Sequence, residues 1–234
     1  MVNLLDPTNV ITRMFNAKKY DEMYRYCKDL LEKIPNDMIA LQNISLSLIH
    51  LQKYSEAIVY CDKVLEIKNS DIYALKNKIY ALESLNQHKQ VLELCTLILS
   101  TNSQDIWALN SMGLSLNELN QHNDALEYYD KSLRIDPNDV TALMNKAISL
   151  SHLGSYKDAI NYYDMAQIID SSLKEIPLAK SKLFEKLNMP DDAFLAAQGV
   201  LNKNMEKIKI DASKNKCSVF HQFCEEEFEI LNSK

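Results

Sequence analysis

Glycine and proline are scarce in this chain, at 3 and 5 among 234 residues. Three glycines are too few for a backbone nest that cradles phosphate. No glycine-rich nucleotide loop, no HExxH and no GxSxG occurs in the sequence. The usual phosphate, zinc-protease and serine-hydrolase sites are therefore excluded. Long apolar runs are missing as well, so no stretch has the length needed to span a bilayer as a helix. The start, MVNLLDPTNVITRMF, carries an acid and a proline early and does not read as a signal peptide. Positive charge is in deficit: the formal net charge is -6 and the pI about 5.4. Nucleic acid and anionic membranes need a positive footprint, so neither is expected as a partner. The five cysteines are an odd number without a secretory signal, which points to a reducing, intracellular, cytoplasmic setting. Alternating β-branched residues are absent too. What remains is helix-favouring and nearly half apolar, enough for a sizeable core.

The chain repeats itself. The segments AIVYCDKVLEIKNSD, VLELCTLILSTNSQD, ALEYYDKSLRIDPND and AINYYDMAQIIDSSL align without a gap at one fixed period, thirty-four positions long. Each is preceded by another amphipathic stretch, such as DIYALKNKIYALESL or DIWALNSMGLSLNEL, so each unit predicts two helices. Asp37, Asp71, Asp105 and Asp139 stand just before the first helices, and Asp6 with Pro7 does the same for the first unit. A carboxylate there caps orphan N–H groups and is worth roughly 1 kcal/mol. Ala57, Ala125, Ala159 and Ala193 share one column, where a small side chain lets two helices cross closely.

These columns resemble the tetratricopeptide repeat family. Leu109, Gly113, Ala125, Tyr129 and Pro137 occupy family positions in one unit, while Ile79 and Val91 depart from the family's small residues. The resemblance covers residues 4–207, as units 4–37, 38–71, 72–105, 106–139 and 140–173 and a degenerate unit 174–207. It implies an all-α, right-handed superhelical solenoid of antiparallel helix pairs. Residues 208–234 are expected to form one C-terminal capping helix, with Cys217, Phe220, Cys224, Phe228 and Leu231 on its apolar stripe.

Cys27, Cys61 and Cys95 fall a full period apart, one per unit. Packed helices lie about 8–10 Å apart, too far for a disulfide or a shared zinc ion. Burial between units is the better reading. His88 and His122 share the column of Tyr20, Tyr54 and Tyr156 at the turn within a unit, and His50 and His152 end first helices. Neither set suggests a metal or catalytic site. No enzyme activity and no cofactor are expected, and a thiol or metal-dependent activity ranks last.

The resemblance places the first helices on a concave face. Their columns there run Ile39–Tyr73–Trp107–Thr141, Gln42–Lys76–Asn110–Met144, Asn43–Asn77–Ser111–Asn145 and Leu46–Tyr80–Leu114–Ile148. Asparagine amides both donate and accept, and so can hold a peptide backbone, as in the similar repeats of the O-linked sugar transferases. Tyr80 is expected to be exposed, because Lys76, Asn77 and Glu83 share its helix face. The expected peptide-binding residues are Asn43, Tyr73, Lys76, Asn77, Tyr80, Trp107, Asn110, Leu114, Asn145 and Ile148, with Lys76 as the main positive group. The partner would be a protein or peptide segment with apolar anchors. The carboxylate clamp of the Hsp70- and Hsp90-binding members needs a final basic pair, and no frame of this chain supplies one. The expected function is thus a protein-interaction scaffold or adaptor. The alternative is a homo-oligomeric building block associating through Phe220, Phe223 and Phe228.

Overall fold

A computed structural model describes residues 6–224. Among them thirteen α-helices run from start to end, and a further helical stretch begins at Val219. The first helices of successive pairs are α1 (Pro7–Asn16), α3 (Met38–His50), α5 (Ile72–Ser84), α7 (Ile106–Glu118), α9 (Val140–His152) and α11 (Glu175–Lys186). Their partners are α2 (Tyr20–Lys33), α4 (Tyr54–Ile67), α6 (His88–Thr101), α8 (His122–Ile135), α10 (Tyr156–Ile169) and α12 (Pro190–Ala197), and α13 spans Asn202–Asn215. Among the described residues all regular structure is helical, a run of helix pairs as the repeat demands.

The caps fall where the sequence puts them. Asp37, Asp71 and Asp105 accept hydrogen bonds from the backbone N–H of Ala40, Ala74 and Ala108 at 2.9, 3.0 and 2.9 Å. Asp139 accepts from Thr141 and Ala142, and Asp6 from Thr8. Each pair then turns through one residue in the left-handed region: Lys18, Gln52, Asn86, Asn120, Gly154 and Asn188 have φ between 56° and 78°. They too recur once per period, and they halt the first helix so that the second folds back.

Contacts divide the chain into two units, residues 1–119 and 120–234. In the first, Ile11, Met23, Cys27, Ala40, Ile44, Leu48 and Ala57 join one buried cluster. In the second, Leu143, Ala159, Tyr163, Ile176, Phe184, Leu195 and Met205 belong to another. Cys27, Cys61 and Cys95 are each fully buried and unpaired. Burial pushes their thiols up to about 12, 11 and 12.

The C-terminal region departs from the expectation of one helix starting at 208. α12 has 8 residues where α10 has 14, and α13 begins at 202, six residues ahead of the next first-helix position. The left-handed residue that follows it, Lys216, is displaced by the same six from 222. A new helical stretch then starts at Val219, its first turn capped by Ser218 Oγ accepting from the His221 N–H at 3.1 Å. Residues 202–224 are therefore a further helix pair brought forward by a six-residue gap, and α13 runs straight through position 207. Met205, Ile208 and Ala212 bury the face that Leu41, Ile44 and Leu48 bury in α3. Phe228 and Leu231 lie outside the described residues.

Candidate functional site

The first helices of three consecutive pairs in the first unit, α3, α5 and α7, carry most of the lining of one pocket. It has a volume of about 400 Å³ and is lined by Leu46, Ile49, His50, Gln52, Tyr54, Lys76, Asn77, Tyr80 and Trp107. Four of the expected site residues meet there: Lys76, Asn77, Tyr80 and Trp107. Tyr80 is 49% exposed, and Tyr73, two turns before it, is 70% exposed. Large rings left in contact with water beside a concave pocket are the usual anchors of a bound chain.

The polar residues are more engaged than their spacing suggests. Lys76 Nζ donates to Asp105 Oδ2 at 2.9 Å and lies 5.1 Å from the centre of the Trp107 ring. The main positive group expected of the site is thus paired with the cap of α7, and its ammonium lies over the indole. Gln42, in the same column, donates to Asp71 Oδ1 at 2.9 Å. One carboxylate thus caps its own helix and ties down the preceding first helix. The asparagine column is also partly committed. Asn43 Nδ2 donates to the Ile39 carbonyl at 2.7 Å, and Asn77 Nδ2 donates to Ser45 Oγ at 3.1 Å. The amide oxygens are what these residues present to an incoming N–H. Asn110 is 9% exposed, and Leu114 is half-buried.

Glu83 corrects another expectation. It does not share Tyr80's open face. Its Oε1 is buried without a hydrogen-bond partner, and burial pushes the carboxyl up to about 7, opposed by the Ser111 hydroxyl.

Ile49, His50, Gln52 and Tyr54 join the pocket although the mid-helix columns do not include them. They surround the left-handed turn of the second pair, so the pocket reaches the end of α3. His50 stacks on Tyr20, with ring centroids 4.2 Å apart and planes 4° apart, and Phe15 meets its edge. Burial holds the imidazole below its ordinary value. The equivalent rung in the second unit is His122 on His152, at 4.6 Å and 6°. Two parallel imidazole planes cannot both direct a ring lone pair at one ion, so that pair is not arranged as a chelate. Among the described residues, no group of three or more metal-ligating side chains exists.

In the second unit Asn145 is half-buried and Ile148 is 37% exposed, at the positions of Asn77 and Tyr80. Phe220 and Phe223 pack on Phe194, with ring centroids at 5.4 and 5.8 Å. Phe223 is half-buried by this, whereas Phe220 stays 61% exposed. No helix among the described residues is long and apolar enough to cross a membrane.

Models of the tetratricopeptide repeat match residues 40–71, 106–139 and 128–161. No curated protein matches the chain in sequence. Solved structures do match in fold. A tetratricopeptide repeat protein from Parabacteroides merdae is 17% identical, with a TM-score of 0.72 over 89% of this chain and 86% of its own. MamA from Desulfovibrio magneticus is 21% identical, with a TM-score of 0.66 over 71% of this chain and 94% of its own. YrrB, described as a TPR protein with an unusual peptide-binding site, is 17% identical, with a TM-score of 0.57 over 73% of this chain and 88% of its own.

Proposed function

The chain is a tetratricopeptide repeat protein, and on that premise we propose that it is a non-enzymatic scaffold which captures a peptide segment of a partner in the α3–α5–α7 pocket. The observation that carries this reading is the pocket itself. Tyr80 and Trp107 with Leu46 and Ile49 give it apolar walls, and Asn77 and Gln52 give it amides. Lys76 is matched by Asp105 and burial disfavours the charged form of His50, so the pocket favours apolar anchors over charge. A segment placing one aromatic or long aliphatic side chain between Tyr80 and Trp107 would use both rings. Its main chain would then meet the amide oxygen of Asn77.

Trp107 is the single tryptophan of the chain, so its fluorescence reports on the pocket directly. Peptides selected by display on the wild-type chain are expected to shift its emission and to bind at least tenfold more weakly to the Asn77→Ala, Tyr80→Ala double variant. Equal binding to a double variant of unchanged helicity would remove the pocket from the function.

A second reading is self-association through the C-terminal residues. It is favoured by Phe220, which remains largely exposed on its pair with Phe194. Light scattering separates the two: a monomer at high micromolar concentration leaves only the scaffold.

A further inference from the structure

Lys180 is fully buried, yet its ammonium is completely engaged. Nζ donates to Asp164 Oδ1 at 2.5 Å, to Gln167 Oε1 at 2.9 Å and to the Val200 carbonyl at 3.0 Å. Asp164 Oδ2 accepts from the Asn202 backbone N–H at 2.7 Å, and Gln167 Nε2 donates to the Gly199 carbonyl at 2.7 Å. Side chains of α10 and α11 therefore hold residues 199–202 by main-chain groups alone. The segment reaches them because α12 stops six residues early. In effect the joint already contains a bound peptide, supplied by the chain itself.

The same pair occurs one period earlier as Lys146 and Asp130, which are hydrogen-bonded to each other. Here the carboxylate is 44% exposed, against 13% for Asp164. A pocket of about 250 Å³ opens beside the pair, between α8, α9 and α10. Leu133, Pro137, Leu143 and Met165 form its apolar walls, and Arg134 stands at its rim. We propose that this pocket is a second binding site, which takes an extended polypeptide segment of a partner protein as the neighbouring joint takes residues 199–202.

The chemistry follows the occupied joint with one change. Tyr162 stands where that joint has Ala196, and its hydroxyl accepts from Lys146 Nζ at 2.6 Å. A hydroxyl that accepts from an ammonium still has its own proton to donate. Tyr162 thus offers an incoming carbonyl the bond that Lys180 gives Val200. The outer oxygen of Asp130 offers the acceptor that Asp164 gives Asn202. An apolar side chain then enters between Leu133 and Met165, and Arg134 favours an acidic residue beside it.

The probe is the blocked heptapeptide Gln-Gly-Val-Leu-Asn-Asp-Asn, which copies residues 198–204 with an acid in place of Lys203. Added to the isotope-labelled full chain, it is expected to give saturable NMR shifts at Asp130, Tyr162 and Met165. Met165→Asp and Arg134→Ala, both at exposed positions, are expected to weaken it at least tenfold without altering the fold. No saturable shift at millimolar peptide overturns the proposal, as do shifts confined to Asp164, Gln167 and Lys180. Concentration-dependent dimers that vanish in Met165→Asp assign the pocket to a second copy and overturn it as well. Trp107 emission is expected to stay unchanged throughout, which keeps this result separate from the α3–α5–α7 pocket.

Discussion

Lys180 Nζ lies 2.5 Å from Asp164 Oδ1, across 16 positions of sequence. The same offset joins Lys78 to Asp62 and Lys146 to Asp130. Each pair links the second helix of one repeat to the first helix of the next. The lysines become more buried along the chain, at 20%, 10% and 0% side-chain exposure. A buried pair adds little stability over an apolar replacement, but removing one partner leaves a charge stranded.

Asp164→Ala is therefore expected to destabilise the protein by about 3–5 kcal/mol. The double variant Lys180→Met, Asp164→Leu is expected to recover most of that loss. Urea denaturation followed by circular dichroism measures both. Equal losses in single and double variants would show that the pair contributes beyond its own charge balance.

The left-handed turn residues give a backbone prediction. Lys18 and Gln52 hold φ of 56° and 59° with full side chains, a conformation that costs an L-residue about 1–2 kcal/mol. Replacing either by Gly is expected to stabilise by about 1 kcal/mol, net of the unfolded-state entropy that glycine adds. Gly154→Ala is expected to destabilise by a similar amount, although a Cβ there would meet nothing within 4 Å. Thermal melts of the three variants test the sign in each direction.

Glu83 makes stability depend on pH. Its carboxyl titrates near 7 in the fold and near 4.5 when unperturbed. Between those values the folded protein keeps a proton that the unfolded chain has lost. Its contribution to stability is thus greatest at low pH, falls as pH rises from 4.5 to 7, and is lost above. Glu83→Gln removes the ionisation and is expected to stabilise by about 1–3 kcal/mol at pH 8. At pH 4.5 it is expected to be nearly neutral. Denaturation midpoints across that range check the convergence.

Thiol chemistry separates the cysteines. Cys224 is exposed, whereas Cys27, Cys61 and Cys95 are buried with thiols raised by desolvation. A thiol-reactive chromophore is expected to label Cys224 within seconds to minutes. The three buried cysteines are expected to react only as fast as the protein opens.

Most of the architecture is legible in the sequence, because one period orders everything local. Asp37, Asp71, Asp105 and Asp139 name the helix starts, and Ala57, Ala125 and Ala159 name the crossings. Tyr80 and Trp107 can be placed beside one another from the sequence, because first-helix columns share a face, and both line the pocket. Long side chains are harder to read. Lys76 looks open by its column, but it reaches to Asp105, 29 positions away. The Lys–Asp offset of 16 is written three times in phase with the period, yet it becomes a signal only when two columns are read together. The C-terminal register is hidden because a six-residue gap moves Lys216, Met205 and Ile208 out of phase with their counterparts.

The recurring pairs also order the repeats. Asp62 meets Lys78, Asp130 meets Lys146 and Asp164 meets Lys180, while Thr96 and Met112 hold the same two positions at the joint that follows α6. Unit 72–105 therefore offers a lysine to its predecessor and a neutral residue to its successor, and unit 106–139 does the opposite. Only unit 140–173 carries both Lys146 and Asp164, and so is compatible with a copy of itself. Were this gene to lengthen by tandem duplication, that is the module it could multiply without stranding a charge at the new seam.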